Sequence, residues 1–389
     1  MQKGLKAVFI REVHRMSLKS IYLWILFILP LFSFFLFVTM FHHGKAENFE
    51  IVVFDADNSP LSRQITRWID ATRDVHVLKH VNSLEEGKRM IERSEAWAVL
   101  KIPKGTENDV YKGDAKGLVL FYSNENLSAG SAVSTAIITT VKTLSAGINI
   151  QKRMAHNQML EQAYERVQPI HLETHSLFNP YVNYAYYLVT ALLPVMLLMF
   201  VITSTIFTVG NELKDGTAKD WYHTAGDSVI VALTGKLLPY SIVYIIEAFL
   251  MNTILFVFMD APLNGSLFII FMATIFFVYA YQAMGVFIIS LFPNVRLSLS
   301  LGAAYASLAF SFSGLTFPMI AMDPFLQYFA ELFPYTHYLK IYINEAMKGL
   351  NVHYSLYSFM ALGIFIVLPF LLIGRLRHFL TDAKYWGKS

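Results

Sequence analysis

The sequence predicts a polytopic α-helical membrane protein with six transmembrane helices, plus an α/β domain outside the bilayer. Three observations carry this expectation. The chain has 389 residues, 55% of them hydrophobic and 15% charged, with a mean hydropathy of +0.46. An ordinary soluble domain is about 25% charged. Long uncharged apolar runs recur, such as Ile21–Phe41 and Tyr181–Gly210, and a membrane-spanning helix needs about 20 such residues. Between these two runs, charge returns and short apolar runs alternate with helical patterns, as in an α/β domain. The net charge of +3 gives no case for nucleic-acid binding. The absence of Cys excludes disulfides, thiolate nucleophiles and Cys-based metal sites.

Residues 1–20 are basic, with Lys3, Lys6, Arg11, Arg15 and Lys19. Leu5, Val8, Phe9, Val13 and Met16 recur at helical spacing. This reads as an amphipathic helix on the cytoplasmic membrane surface. Residues 21–41 read as the first span, uncleaved, with the N-terminus inside: the run is longer than a signal-peptide core and no small-x-small site follows.

Residues 42–180 read as the extracytoplasmic domain. Ile51–Phe54 is expected to be a buried strand ended by Asp55, Asp57, Asn58 and Pro60. A helix over 61–71, a strand over 75–80, a helix over 83–93 and strands over 96–102 and 118–122 follow. The stretch 128–167 is a long helical pattern without Pro. Asp55 and Asp57 read as turn chemistry rather than metal ligands. His171 and His175 are four apart, but Pro169 precedes them and no acidic cluster accompanies them, so no zinc site is expected.

Residues 181–375 hold five further spans, expected near 184–209, 237–259, 266–290, 298–320 and 354–374, and 376–389 form a cytoplasmic tail. Alternating topology puts both termini inside. The inner segments then hold thirteen Lys and Arg, against Lys340 and Lys348 in the short outer ones, in accord with the positive-inside rule.

Two interruptions stand out. Asn211–Ala225, NELKDGTAKDWYHTA, is a charged island between apolar flanks, within a cytoplasmic loop spanning 211–235. Gly216 relaxes the backbone there, Thr217 is placed to cap a following helix through its hydroxyl, and Trp221, Tyr222 and His223 suit a helix at the membrane interface. The second is 318–350, apolar but broken by Pro318, Pro324 and Pro334 and carrying Asp323, Glu331 and Glu345. It reads as helices that enter the outer leaflet and turn back, which is tolerated only under cover of protein or a wet cavity.

Both interruptions resemble segments of ABC type-2 exporter permeases. Glu212, Gly216, Thr217 and the pair Gly235-Lys236 match the family's coupling loop, while Leu213, Lys214 and Ala225 depart from its Arg, Glu and Pro. Gly314, Pro318, Leu332, Pro334, Thr336, Lys348 and Gly349 fill the places of the family's re-entrant segment. Asp57-Asn58-Ser59-Pro60, Ile102-Pro103 and Phe178-Asn179-Pro180 resemble the larger subgroup with an extracytoplasmic domain between the first two spans.

The resemblance implies a dimer of identical or homologous permeases docked on two ABC ATPase subunits, which bind ATP and Mg. Glu212 would offer its carboxylate to the ATPase, with Gly216, Thr217 and Trp221 shaping the loop. The cargo would be amphipathic or hydrophobic, drug-like or lipid-like, moved out of the cytoplasm or inner membrane of a bacterium. A periplasmic adaptor and an outer-membrane channel would receive it.

The residues themselves offer no catalytic site. There is no phosphate-binding Gly-x-x-x-x-Gly-Lys-Ser/Thr, no Gly-x-Ser-x-Gly and no His-Glu-x-x-His. Cofactors in this chain are therefore expected to be none. Glu247 lies deep in a predicted span, where a charge is expensive. It reads either as a substrate or proton site or as a packing group hydrogen-bonded to Asn252 or a nearby Tyr. Two other readings of the chain stay open: a proton-coupled secondary transporter using Glu247, and a membrane-anchored receptor using the outer domain. The first predicts internal repeats, which the sequence does not show.

Overall fold

The fold is seen in a computed structural model that describes residues 3–41, 47–112, 117–155, 159–161, 178 and 183–387. His171, His175 and the Asn179-Pro180 pair lie outside the described residues, as do the expected domain edges at 42 and 180–181. The chain divides into two units, Lys45–His175 on one side and Met1–Gly44 with Ser176–Ser389 on the other.

In the first unit, alternation of side chains builds a three-layer α/β sandwich. Strand β1 (Phe49–Asp55) turns Ile51 and Val53 to one face and Val52 to the other, all fully buried. Strands β2 (Val75–His80) and β3 (Ala98–Ile102) flank it in parallel, and β4 (Val119–Tyr122) pairs antiparallel with β3, giving the order β2-β1-β3-β4. The Ile51 face packs on Leu61, Ile65 and Ile69 of a helix at Pro60–Asp70 and on Val133, Ala136, Ile137 and Leu144 of a helix at Leu127–Ala155. The Val52 face packs on Met90 of a helix at Leu84–Glu92. In chain order these helices are α3, α4 (Leu84–Glu92) and α6 (Leu127–Ala155), with a short α5 at Thr106–Lys112 that the sequence did not suggest.

Turn chemistry accounts for both acidic residues after β1. Asp55 Oδ1 accepts from the Asp57 and Asn58 amides at 3.0 and 2.9 Å, and Oδ2 accepts from Ser62 Oγ at 2.6 Å. Asp57 accepts from the Gly105 amide at 2.7 Å and the Glu107 amide at 3.1 Å, tying β1 to the start of α5.

The second unit opens with α1 (Leu5–Leu18) and α2 (Ser20–Met40). A wide π turn at Trp24–Ile28 precedes Pro30, which has no N–H to continue the ladder. The unit continues with α7 (Tyr184–Lys214), α8 (Ala218–Thr224), α9 (Val229–Thr253, prolonged by a π turn to Phe258), α10 (Leu267–Leu291) and α11 (Val295–Ser311). Short helices α12 (Pro324–Ala330) and α13 (Pro334–Tyr342) lead to α14, continuous from Val352 to Thr381. Helix α7 is the central post. Gly285 of α10 and Gly302 of α11 bring those helices so close that a Cβ would sit 2.9 Å from Thr205 and 2.5 Å from Ile206, the small-residue packing common in membranes.

Among the described residues, six helices are long and apolar enough to cross a membrane: α2, α6, α7, α9, α10 and α14. Five of them are expected spans. The sixth, α6, spends its apolar stripe on the β-sheet. The expected span at 298–320 is instead the 17-residue α11, because the chain turns at Gly314, whose φ of +88° suits glycine. At about 1.5 Å per residue it measures roughly 26 Å, just short of the hydrocarbon core. Large apolar side chains such as Phe35, Phe249, Phe268 and Leu371 stand exposed on the outside of this unit, a surface that a bilayer covers.

Candidate functional site: the ion cluster at the α7–α8 junction

The stripe Arg11, Arg15, Lys19 repeats every four residues and so runs down one face of α1 and just past its end. That face, with Val8 and Glu12 fully buried, docks on α9. Gly235 permits it: a Cβ there would lie 2.8 Å from Val8 Cβ and 3.0 Å from the Leu5 carbonyl. The neighbouring stripe of Leu5, Phe9, Val13 and Met16 stays exposed or half-buried. The helix is therefore bound to protein on one side and free to meet lipid on the other.

Glu212, at the end of α7, is the hub of what this docking assembles. Arg11 grips it bidentately, at 2.8 Å to Oε1 and 2.9 Å to Oε2. Arg15 also donates to Oε1 and reaches Asp215 at 2.9 Å. Lys236 of α9 lies 2.8 Å from Glu212 and also binds Glu12, whose other oxygen accepts from Tyr240 at 2.7 Å. Lys19 adds a 3.1 Å contact to Asp215. Glu212, Glu12 and Lys236 have essentially no solvent exposure. Burial alone would push the Arg15 guanidinium down; Glu212 and the other anions beside it more than reverse that and hold it above its usual value. Buried ions must be paired to be tolerated, and here every one is.

Three sequence expectations are corrected by this geometry. Glu212 does not stand at the surface to offer its carboxylate to another protein; its oxygens are enclosed by Arg11, Arg15, Lys236 and Thr217. Thr217 sits at the N-cap of α8 but makes no capping bond, because its hydroxyl donates to Glu212 instead. Trp221 is no interface anchor. It is fully buried, its Nε1 donates to the Ala232 carbonyl at 3.2 Å, and its ring lies 5.1 Å from Lys236 Nζ. Gly216 does take the left-handed turn, at φ +71°.

The result is a sealed corner. Helix α8 turns Ala218, Trp221 and Tyr222 inward and leaves Lys219, Asp220 and His223 exposed. Backbone bonds close both chain ends onto the same corner: the Gly4 amide donates to the Thr224 carbonyl at 2.8 Å, and the Gly387 amide to the Leu213 carbonyl at 3.1 Å.

The residues at 314–349 are spread over turns and one helix start. Gly314 and Gly349 have φ of +88° and +64°. Pro318 precedes the 3₁₀ turn Met319–Ala321, and Pro334 opens α13, where Thr336 is fully buried with its hydroxyl unpaired. Glu247 is buried on α9, and neither of its oxygens has a hydrogen-bond partner among the described residues. The expected bond to Asn252 is absent, since the Asn252 amide donates to Thr274 of α10 at 3.2 Å. Among the described residues no group of His, Cys, Asp and Glu is arranged to hold a metal.

Arg11, Glu12 and Arg15 were missed as site residues. The signal was the four-residue spacing of the cations and one carboxylate, Glu12, buried in their midst. The chain matches the family described as ABC-2 family transporter protein over residues 19–375. No curated protein matches it. The match takes in α2, the α/β unit and every helix of the membrane unit from α7 to α13, and it establishes that this multi-pass chain belongs to the ABC-2 family of transporter membrane proteins.

Proposed function

We propose that this chain is the permease subunit of an ATP-driven exporter, and that the ATPase docks on the exposed face of α8. The observation that carries the reading is the sealed corner around Glu212. It ties α1, the end of α7 and the start of α9 together through the buried charges of Glu12, Glu212 and Lys236, and α8 joins them through the Thr217 hydroxyl and the Trp221 ring. A push on Lys219, Asp220 and His223 therefore reaches two spanning helices at once. Glu212, Gly216, Thr217 and Trp221 act here as positioning residues inside the loop, and contact with the partner belongs to the outer face of α8.

In this reading the corner lies in the cytoplasm of a bacterial cell, the α/β unit lies outside the inner membrane, and residues 318–350 re-enter the outer leaflet. Two copies, or one copy and a homologue, enclose the path of an amphipathic or hydrophobic molecule, which a periplasmic adaptor and outer-membrane channel would receive. ATP and Mg bind to the ATPase. A transporter of this kind needs two arrangements with different affinity for its cargo. The test is photo-crosslinking in a reconstituted complex with an ABC ATPase. A photoreactive residue at Lys219 or Asp220 should capture the ATPase, and one at Tyr354, near the start of α14, should not. Capture from Tyr354 alone would overturn the reading.

A further inference from the structure

Helices α9, α10 and α14 leave a groove of about 220 Å³ between them. Leu237, Ala283, Ile366 and Ile373 give it apolar walls, and Ile230 and Phe370 stand exposed at its rim. At its deep end Ser241 and Gln282 bond to each other and are almost wholly buried, so they offer an occupant nothing polar. Whatever fills the groove is held there by apolar contact.

The length of the groove narrows the choice of occupant. On α9 the lining runs from Ile230 to Ser241, roughly 16 Å by helical rise. The hydrocarbon core of a bilayer is about 30 Å thick, so the groove has the depth of one leaflet. Its volume, drawn out over that length, suits a single acyl chain.

The open end carries the charge. Ile373 is the last groove residue along α14, and Arg377 follows it one turn later on the same face. Arg377 is exposed, and its side chain has no hydrogen bond or ion pair among the described residues. Arg375, also exposed, donates to the Leu291 carbonyl at the end of α10 at 2.9 Å. The acids that flank these helices in sequence already face histidines: Asp382 lies 3.8 Å from His378, and Asp227 lies 2.6 Å from His223.

We propose that the groove takes one acyl chain of an anionic phospholipid, whose phosphate pairs with Arg377 and Arg375. Apolar contact holds the chain, and the arginines select lipids of net negative charge. The site stands whether or not the chain is an exporter, so its test uses the full chain in nanodiscs without any ATPase.

The nanodiscs hold phosphatidylcholine with a small fraction of a probe lipid that carries a photoreactive diazirine on one acyl chain. The probe is phosphatidylglycerol in one set and phosphatidylcholine with the same chains in the other. The glycerol probe should label the segments holding Leu237, Ala283 and Ile366 about tenfold more than the choline probe, the margin expected of one or two arginines at a membrane surface. Unlabelled phosphatidylglycerol should compete that labelling away. Arg377→Gln should cut it about fivefold, and Arg377→Lys, which keeps the charge, should restore most of it. Neither variant removes a bond within the protein. Equal labelling of the groove by the two probes in the unmodified chain would overturn the proposal, a comparison that needs no variant. So would a preference for the glycerol probe that maps to Phe249 and Phe268 instead of the groove, or one that survives Arg377→Gln undiminished.

Discussion

Lys236 and Glu212 lie 2.8 Å apart, both fully enclosed, and their contact joins the first turns of α9 to the last turn of α7. Lys236 is shared: it also holds Glu12, whose one other hydrogen-bond partner among the described residues is Tyr240. Glu212 keeps two arginines if Lys236 is lost. The two carboxylates should therefore respond unequally to its removal.

Lys236→Met should destabilise the purified chain by about 3–5 kcal/mol, the usual cost of stranding a buried charge. Adding Glu12→Gln should recover a large part of that loss, since the stranded carboxylate is then gone. Thermal unfolding in detergent reads both. Additive losses would show that Glu12 and Lys236 act independently.

Gly235→Ala tests the docking of α1. The new methyl would meet Val8 and the Leu5 carbonyl, and overpacking of this kind costs about 1–3 kcal/mol. Cleavage of α1 by added protease should speed up. Gly363→Ala on α14, where a Cβ meets nothing within 4 Å, should leave cleavage unchanged. Equal protection in all three proteins would mean that α1 does not rest on Gly235.

Asp57 gives the α/β unit a pH dependence. Partial desolvation pushes its carboxyl up, but hydrogen bonds from Ser59 and the Glu107, Gly105 and Thr106 backbone outweigh it and hold Asp57 below the usual range. A depressed carboxyl stabilises the fold above its unfolded pKa, about 3.9, and that contribution fades as the pH falls through the folded value. Protection of the Gly105 and Glu107 amides from hydrogen exchange should drop below about pH 4. In Asp57→Asn it should be low throughout. Unchanged protection in the variant would remove Asp57 as the clamp.

Glu247 separates packing from function. Its carboxylate has no hydrogen bond to lose. Glu247→Leu should therefore raise thermal stability, by about 1–3 kcal/mol if a full desolvation penalty is lifted. A lower melting temperature would mean that the carboxylate packs against a group that needs it.

The α/β unit was legible because its signals are local. Ile51 and Val53 alternate with Val52, and the Asp-Asn-Ser-Pro turn punctuates the strand, so strand and helix order could be read within a few residues. Helix α5 was not legible: its start depends on Asp57, about fifty residues earlier in the chain. The enclosure of Glu212 was hidden for the same reason. Its partners Arg11 and Arg15 are 201 and 197 residues away, and local pattern carries no information about which distant cations will arrive. The end of α11 was misjudged because apolar residues continue past Gly314, whose backbone turns the chain.

In the proposed exporter the ion cluster carries movement from α8 into the spanning helices. ATP hydrolysis and transport, measured together in proteoliposomes holding the complete transporter with Glu212→Gln, test this coupling. That substitution keeps the side chain's size and removes its charge from between Arg11, Arg15 and Lys236. In complexes that assemble, hydrolysis should continue while transport per ATP falls about tenfold, within the range of ordinary coupling energies. An unchanged amount of cargo moved per ATP would mean that the cluster does not carry the movement.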